Sequence, residues 1–230
     1  MSPGCLALII LFGLLFLVPL FLTHAMLTAL AKLGLSPELA VFILIAIFMG
    51  GAINIPVKRI ERKQELVYEP FRLFGLQRFL PEDWIYPSQR RNRSYMIIAV
   101  NLGGCLIPLS IAAYEILRVL QRGTYELIVL LAVTGLNIFV CYRLARPIPN
   151  VGISIPAFFP PLIAALPSLI FVPEFAPPIA FTAGVLGPLI GADLLHLKQI
   201  NRLWVGVVSI GGAGTFDGIV LSGMIASLLS

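Results

Sequence analysis

The stretch SIGGAGTFDG, Ser209 to Gly218, places four glycines and one aspartate inside an apolar segment. The surrounding window, Leu203–Leu229, has no other charged residue and is long enough to cross a bilayer, which takes about 20 mostly apolar residues. A charged side chain at membrane depth costs about 2.5–3.5 kcal/mol on insertion scales and usually faces a protein interior, a partner or a cavity. The window therefore predicts a membrane span with an intramembrane site at Asp217.

The composition extends this prediction to the whole chain. Hydrophobic residues make up 59% and charged residues 12%, with a mean hydropathy of +0.98, whereas soluble domains average about 45–50% apolar and about 25% charged residues. The net charge of +5 does not indicate nucleic-acid binding, because most basic residues lie in a loop beside predicted spans. The cysteines lie singly in apolar runs without metal-ligand spacing, so we expect no metal and no cofactor.

Seven apolar windows are long enough to cross the bilayer. They predict an all-α fold, a single transmembrane domain over residues 1–230 with about seven spans. The expected partners are the lipid bilayer and an unidentified substrate or ion, and oligomerisation is left open. The windows are Gly4–Met26, Pro37–Val57, Ser94–Leu117, Tyr125–Tyr142, Gly152–Val172, Pro178–Leu197 and Leu203–Leu229.

The connecting loops predict the orientation. Thirteen basic residues lie in the loops after spans two, four and six, and three lie in the other loops. Because basic loops stay in the cytoplasm, the pattern predicts a multi-pass cell-membrane protein with a cytoplasmic N-terminus and an external C-terminus. Within the long loop, residues 58–93, the stretch VYEPFRLFGLQRFL is typical either of an amphipathic interfacial segment or of an ordinary packed loop.

The fifth window is rich in proline. Pro156, Pro160, Pro161 and Pro167 each remove a backbone donor and oppose a regular helix. Non-helical backbone at membrane depth is tolerated only inside protein or beside a cavity. We therefore expect a broken or kinked span five inside the bundle, with a lipid-facing kinked helix as the alternative.

Two acidic residues lie away from the predicted span ends, Asp193 and Asp217, and these are the candidate catalytic residues. Three residues after Asp193, His196 lies on the same helical face, where the two could relay protons or make a structural hydrogen bond. Asp193 could alternatively reach water at the cytoplasmic boundary.

The glycines around Asp217 permit either close helix contact or an unwound stretch that meets a ligand. The carboxyl beside them favours the unwound stretch. Three asparagines inside spans, Asn54, Asn101 and Asn137, are expected by default to make interhelical hydrogen bonds. The candidate substrate- or ion-binding residues are Ser209, Gly211, Gly212, Gly214, Thr215, His196, Asn101 and Asn137.

The C-terminal third carries three recognisable blocks, GISIPAFFPPLIAAL, GPLIGADLL and SIGGAGTFDG. Over roughly Arg146–Ser230 the chain resembles an uncharacterised integral-membrane family of archaea and bacteria whose biochemical role is unassigned. The resemblance implies a shared membrane fold and names no reaction.

A second resemblance is to the intramembrane aspartyl proteases of the presenilin and prepilin-peptidase type. Residues 214–217 fit the Gly-x-hydrophobic-Asp form of their second aspartate motif, and Asp193 would be the first aspartate. With straight helices, however, Asp193 lies about 7 Å and Asp217 about 22 Å from the cytoplasmic edge. A carboxyl pair that shares a proton needs contact at about 3 Å, and only a broken or displaced segment over Ser209–Gly214 could provide it.

Three functions remain open from the sequence. Depth favours proton- or cation-coupled transport at an intramembrane aspartate, and the motif favours an aspartyl protease. A third possibility is a non-catalytic membrane assembly subunit. We lean towards transport, because the depth argument is physically stronger than a four-residue match.

Overall fold

The computed structural model describes residues 3–61, 95–148, 152–197, 206–212 and 217–230. The fold is mostly helical and includes short strands. The helices are α1 Pro3–Lys32, α2 Pro37–Gly50, α3 Leu102–Arg122, α4 Thr124–Leu144, α5 Phe159–Phe171, α6 Pro173–Leu197 and α7 Gly218–Leu229. The strands are β1 Asn54–Glu61, β2 Tyr95–Asn101, β3 Arg146–Ile148, β4 Gly152–Ser154 and β5 Gly206–Ile210.

The chain is a membrane protein by the length and composition of its helices. Among the described residues, four helices are long and apolar enough to cross a bilayer: Leu15–Lys32, Leu102–Arg122, Thr124–Leu144 and Pro173–Leu197. Three further apolar helices, α2, α5 and α7, are shorter than a full span. A helical membrane protein is therefore confirmed, whereas seven complete spans remain a prediction.

A three-stranded sheet, in the order β1-β2-β5, corrects the all-α prediction. β1 pairs antiparallel with β2, and β2 pairs parallel with β5. The second, third and seventh windows had treated these residues as parts of helices. Counting apolar residues over 20 positions does not separate a helix from a strand, whereas β-branched residues such as Ile97, Ile98 and Val100 favour a strand.

The sheet lies at one end of the helix bundle, which we call the sheet end. There α2 leads into β1, β2 leads into α3, and β5 precedes α7. The opposite end, which we call the far end, contains the connections at Leu33, Gly123 and Val172. Because open sheet edges are not stable in hydrocarbon, the sheet belongs at a membrane surface. In the long loop, residues 58–61 belong to β1, and the predicted amphipathic stretch lies outside the described residues.

Helix α6 lies at the centre of the bundle. Within the apolar window of α6, 72% of the residues are buried, whereas 17% are buried in the Leu15–Lys32 window of α1. Helix α6 is therefore central, and α1 is peripheral. Small residues let its neighbours approach closely. A Cβ atom at Gly184 would lie 2.8 Å from the Ser222 carbonyl oxygen of α7, and one at Gly191 would lie 2.4 Å from the Ile138 carbonyl oxygen of α4.

Helix α5 begins at Phe159, after the strand Gly152–Ser154, so the first part of the fifth window is not helical. Pro160 and Pro161 lie in its first turn, where a missing N–H breaks no helical hydrogen bond, and the helix continues through Pro167. One face is buried, but Leu166 and Ile170 on the other face are 55% and 71% exposed. The helix therefore lies at the periphery of the bundle.

Candidate functional site

Asp217 begins helix α7. Its backbone is extended, at φ −65° and ψ 145°, and its side chain accepts a hydrogen bond from the Ile219 N–H at 2.8 Å. This is the geometry of a helix N-cap, in which a carboxylate satisfies an otherwise unpaired amide. Asp217 therefore lies at the sheet end of α7, because residues 206–210 form a strand instead of the first turns of a helix.

Asp193 lies in the last part of α6, where residues Gly187–Leu194 are π-helical. The main-chain amide of Gly211 lies near its carboxylate, and the charge of Asp193 interacts with that of Asp217. The two candidate carboxyls thus lie near each other at the same end of the bundle. The predicted 15 Å difference in depth assumed a straight helix from Arg202 to Asp217, whereas residues 206–210 form a strand.

Gly211 is the turn that brings the two aspartates together. Its φ of +68° suits glycine, and a Cβ atom there would lie 2.7 Å from the carbonyl carbon of Gly104 and 2.9 Å from the Cys105 nitrogen. Gly212 closes the turn by donating its N–H to the Ser209 carbonyl at 3.2 Å. Only glycine at position 211 lets β5 pass this close to the start of α3 and point an amide at Asp193.

Cys105 lies beside the two aspartates, and the sequence analysis did not identify it as part of the site. Its thiol is buried, and both Asp193 and Asp217 act on it electrostatically. In the sequence it looks like a small hydrophobic residue in an apolar run. No local pattern predicts its place beside the aspartates, because the contact depends on the packing of α3 against the Gly211 turn.

Asn101 organises the backbone beside this turn. It is fully buried, donates to the Gly51 carbonyl at 2.8 Å and to Asn54 Oδ1 at 3.0 Å, and accepts the Gly104 N–H at 2.7 Å. Ser209 also donates to Asn54 Oδ1. The asparagines and Ser209 thus join β1, β2 and β5 beside the turn, and they hold backbone in place more directly than they could hold a ligand.

His196 does not form the predicted pair with Asp193 among the described hydrogen bonds. Its Nδ1 faces the carbonyl oxygens of Gly191 at 3.2 Å and Ala192 at 3.0 Å, so it acts as the donor. The ring packs against Tyr142 of α4, with centroids 5.0 Å apart. The histidine therefore packs the end of α6 against α4.

The remaining candidates divide between packing and regions outside the described residues. Asn137 donates to the Ala183 carbonyl at 2.8 Å and so joins α4 to α6, the interhelical bond expected of it by default. Gly214 and Thr215 lie outside the described residues. No group of three or more His, Cys, Asp or Glu side chains arranged to hold a metal ion occurs in the part of the chain that the structure describes.

Glu115 is a second carboxyl site that the sequence did not single out. It lies on α3 towards the far end, and it is 0% exposed. Its Oε2 pairs with Arg118 at 2.9 Å, and Arg118 also donates to the Leu33 carbonyl at the end of α1. The spacing of three residues could have indicated the ion pair, but nothing in the sequence indicates the burial.

A model of the family DUF1614, described as proteins of unknown function, matches residues 47–229. The chain belongs to the DUF1614 family. No curated protein and no solved structure matches it. The DUF1614 match extends the resemblance seen over the C-terminal third to the sheet and α3, and it includes Asp193, Asp217 and Glu115.

Proposed function

We propose that Asp193 and Asp217 bind and release a proton whose movement is coupled to transport of an unidentified solute across the membrane. One observation carries the proposal: two carboxyls from consecutive helices lie within electrostatic reach of each other beside the Gly211 turn. Carboxyls within electrostatic reach influence each other's protonation, and acidic side chains inside helical bundles commonly serve proton pathways.

The irregular main chain around the pair supports this role. Residues Gly187–Leu194 are π-helical, a conformation found frequently at functional sites. On the other side, β5 and the Gly211 turn replace the first turns of a helix. Interrupted helices expose backbone groups to ions in many secondary transporters, and here one such amide already meets Asp193.

The distribution of basic residues supports a cytoplasmic sheet end. Among the described residues, Lys58, Arg59, Arg143 and Arg146 lie there, whereas Lys32, Arg118 and Arg122 lie at the far end. By the positive-inside rule, the aspartate pair would open towards the cytoplasm, with the N-terminus inside and the C-terminus outside.

The first test measures proton binding and does not require the solute. Infrared spectroscopy of the purified protein, titrated in H₂O and D₂O, should show a protonated-carboxyl band that disappears in Asp193→Asn and in Asp217→Asn. Glu174→Gln is the matched control, because that carboxyl is 86% exposed. A band that persists in both aspartate variants would contradict proton binding by the pair.

The second test measures transport. Liposomes with a trapped pH dye and an imposed proton gradient are exposed in turn to monovalent cations, carboxylates and amines. A solute that accelerates collapse of the gradient in the native protein, and fails to do so in Asp217→Asn, supports coupled transport. If no member of the three classes acts, or if the aspartate variant responds like the native protein, the coupling proposal fails.

An intramembrane aspartyl protease is the second candidate, and the juxtaposition of the two aspartates favours it because it removes the depth objection. One carboxylate would take a proton from water as the water oxygen bonds to the peptide carbonyl carbon. The other, protonated, would give its proton to the carbonyl oxygen. The resulting diol would collapse with cleavage of the C–N bond, and the leaving amine would take up a proton.

A peptide containing a hydroxyl-bearing transition-state mimic separates the two candidates. Such mimics bind proteases about 10²–10⁸-fold more tightly than substrates do. Tight binding of a membrane-spanning mimic, lost in both Asp→Asn variants and accompanied by cleavage of the parent peptide, would establish the protease. Absence of cleavage together with solute-dependent proton flux would establish transport.

A further inference from the structure

Three buried polar oxygens inside the helix bundle have no hydrogen-bond partner among the described residues. They are Glu115 Oε1, Thr134 Oγ1 and Ser222 Oγ, and their residues are 0%, 9% and 3% exposed. Folded proteins satisfy nearly all such atoms, and where no protein group does so an ordered water commonly does.

The two unpartnered hydroxyls differ from other hydroxyls in the helices. Ser168 and Thr182, which are also buried, bond to the carbonyl four residues earlier in their own helix, at 2.7 and 2.8 Å. Thr134 and Ser222 do not make this bond. They therefore retain both donor and acceptor capacity towards the bundle interior, and water can use both.

The three atoms are spaced along the bundle between the aspartate pair and the far end. At 1.5 Å per residue, Ser222 lies about 7.5 Å beyond Asp217 along α7. Thr134 lies about 15 Å from the sheet end of α4, and Glu115 lies about 20 Å from the start of α3. All three helices pack against the central helix α6.

Glu115 is suited to be the last member of this series. Its Oε2 is held by Arg118, which is 29% exposed and so connects the buried carboxyl with the far surface. Its Oε1 remains available to a donor from inside the bundle. A carboxyl with one oxygen anchored and one free can accept a proton from a water molecule without losing its position.

We infer that Ser222, Thr134 and Glu115 mark a water-containing proton path that joins the aspartate pair to the far end of the bundle. The ligand of this path is water, and Glu115 is its far-end proton acceptor. The inference rests on the proposed transport function, and it supplies what that function needs, a route from a site at one membrane surface to the other surface.

Radiolytic hydroxyl-radical labelling tests for the water independently of transport. Buried waters are cleaved in place and oxidise the side chains beside them, and mass spectrometry locates the products. We expect labelling in the peptides that contain Thr134 and Ser222, and at least about fivefold less in those around Thr182 and Ser168, since the latter hydroxyls are already bonded. Equal labelling of the two sets would overturn the inference.

Flux measurements then test the path. The variants are Ser222→Ala, Thr134→Val and Glu115→Gln, and the matched controls are Ser168→Ala and Thr182→Val. We expect the path variants to lower solute-coupled proton flux by about tenfold, which is ~1.4 kcal/mol of barrier, with the infrared band of the aspartate pair retained. The controls should stay within twofold.

The outcomes separate the two proposals. If the aspartate band is absent in the native protein, the proposed function fails, whereas labelling still reports on the water. If the band is present and the path variants match the controls, the path is wrong and the proposed function stands. Because Glu115→Gln alters a buried ion pair, Ser222→Ala and Thr134→Val, which delete a hydroxyl with no described partner, decide the question if that variant does not fold.

Discussion

The two ends of the bundle hold their polar groups in different ways. At the far end, cations close helix C-termini: Arg118 binds the Leu33 carbonyl and Lys32 binds the Leu228 carbonyl at 2.7 Å. At the sheet end, main-chain amides stabilise the carboxylates: the Ile219 N–H donates to Asp217, and the Gly211 amide lies near Asp193. The polar groups of the far end are thus held by charged side chains, and those of the sheet end are held by the main chain. Substitutions that remove a charge and substitutions that disturb the main chain should therefore affect the two ends differently.

The largest effect should come from Gly103→Ala at the sheet end. A Cβ atom at Gly103 would lie 2.1 Å from the Ile47 carbonyl oxygen and 2.5 Å from the Gly51 nitrogen. Because both obstacles are backbone, the end of α2 would have to separate from the start of α3. We expect a loss of about 4 kcal/mol or more, among the largest point effects, measured by thermal unfolding in detergent.

Gly135→Ala is the control for this substitution. Gly135 is an exposed glycine within α4, and a Cβ atom there meets nothing within 4 Å. Alanine should raise stability by up to about 1 kcal/mol, because it favours the helix. If both substitutions changed stability by the same amount, close backbone packing would not be what shapes the sheet end.

Removing the charge at the far end should have the next largest effect. Arg118→Ala would leave Glu115 buried beside no cation that the described residues supply. Breaking a buried pair costs about 3–5 kcal/mol, and the partial exposure of Arg118 places the expected loss near the lower value. Adding Glu115→Gln should recover part of the stability, since the uncompensated charge is then gone.

The neighbouring pair Arg122–Glu174 provides the contrast. Its atoms are 3.7 Å apart and both side chains are at least half exposed. Glu174→Gln should change stability by less than about 1 kcal/mol, as for most surface ion pairs. A cost as large as that of Arg118→Ala would show that proximity alone, without burial, determines the energy at this end.

The sequence predicts the helices and the candidate residues better than it predicts how they pack together. Apolar windows and the positions of basic residues follow from composition, and they identify a helical membrane protein and both candidate aspartates. The meeting of those aspartates could not be derived, because it depends on β5 pairing with a strand more than 100 residues earlier. The burial of Glu115 could not be derived either, because it depends on how α3 packs against the rest of the bundle. In both cases the outcome depends on contacts between residues far apart in the sequence, which no local sequence pattern reports.

Asn101→Ala should have an intermediate effect at the sheet end. The change removes the hydrogen bonds to the Gly51 carbonyl, to Asn54 and from the Gly104 N–H, and it leaves main-chain groups unpaired near the turn. We expect a loss of about 2–3 kcal/mol, since an orphaned buried group costs about 1–3 kcal/mol. Asn54→Ala, at an exposed position, should cost about 1 kcal/mol. Both losses of stability are measured by thermal unfolding. If they were equal, Asn101 would not be what organises the backbone beside the Gly211 turn.

The smallest effect should come from Lys32, and its salt dependence gives the sharpest comparison of the two ends. Lys32 is exposed and donates to the Leu228 carbonyl, so its charge faces the negative end of the α7 dipole. Lys32→Gln should cost about 0.3–1 kcal/mol at low salt, because a cation at a helix C-terminus contributes that much. The cost should fade at 1 M salt, where the screening length falls to about 3 Å. Ser209→Ala, which removes a neutral hydrogen bond to Asn54, should cost the same at both salt concentrations. If the cost of Lys32→Gln did not change with salt, the far end would depend on hydrogen bonding in the same way as the sheet end.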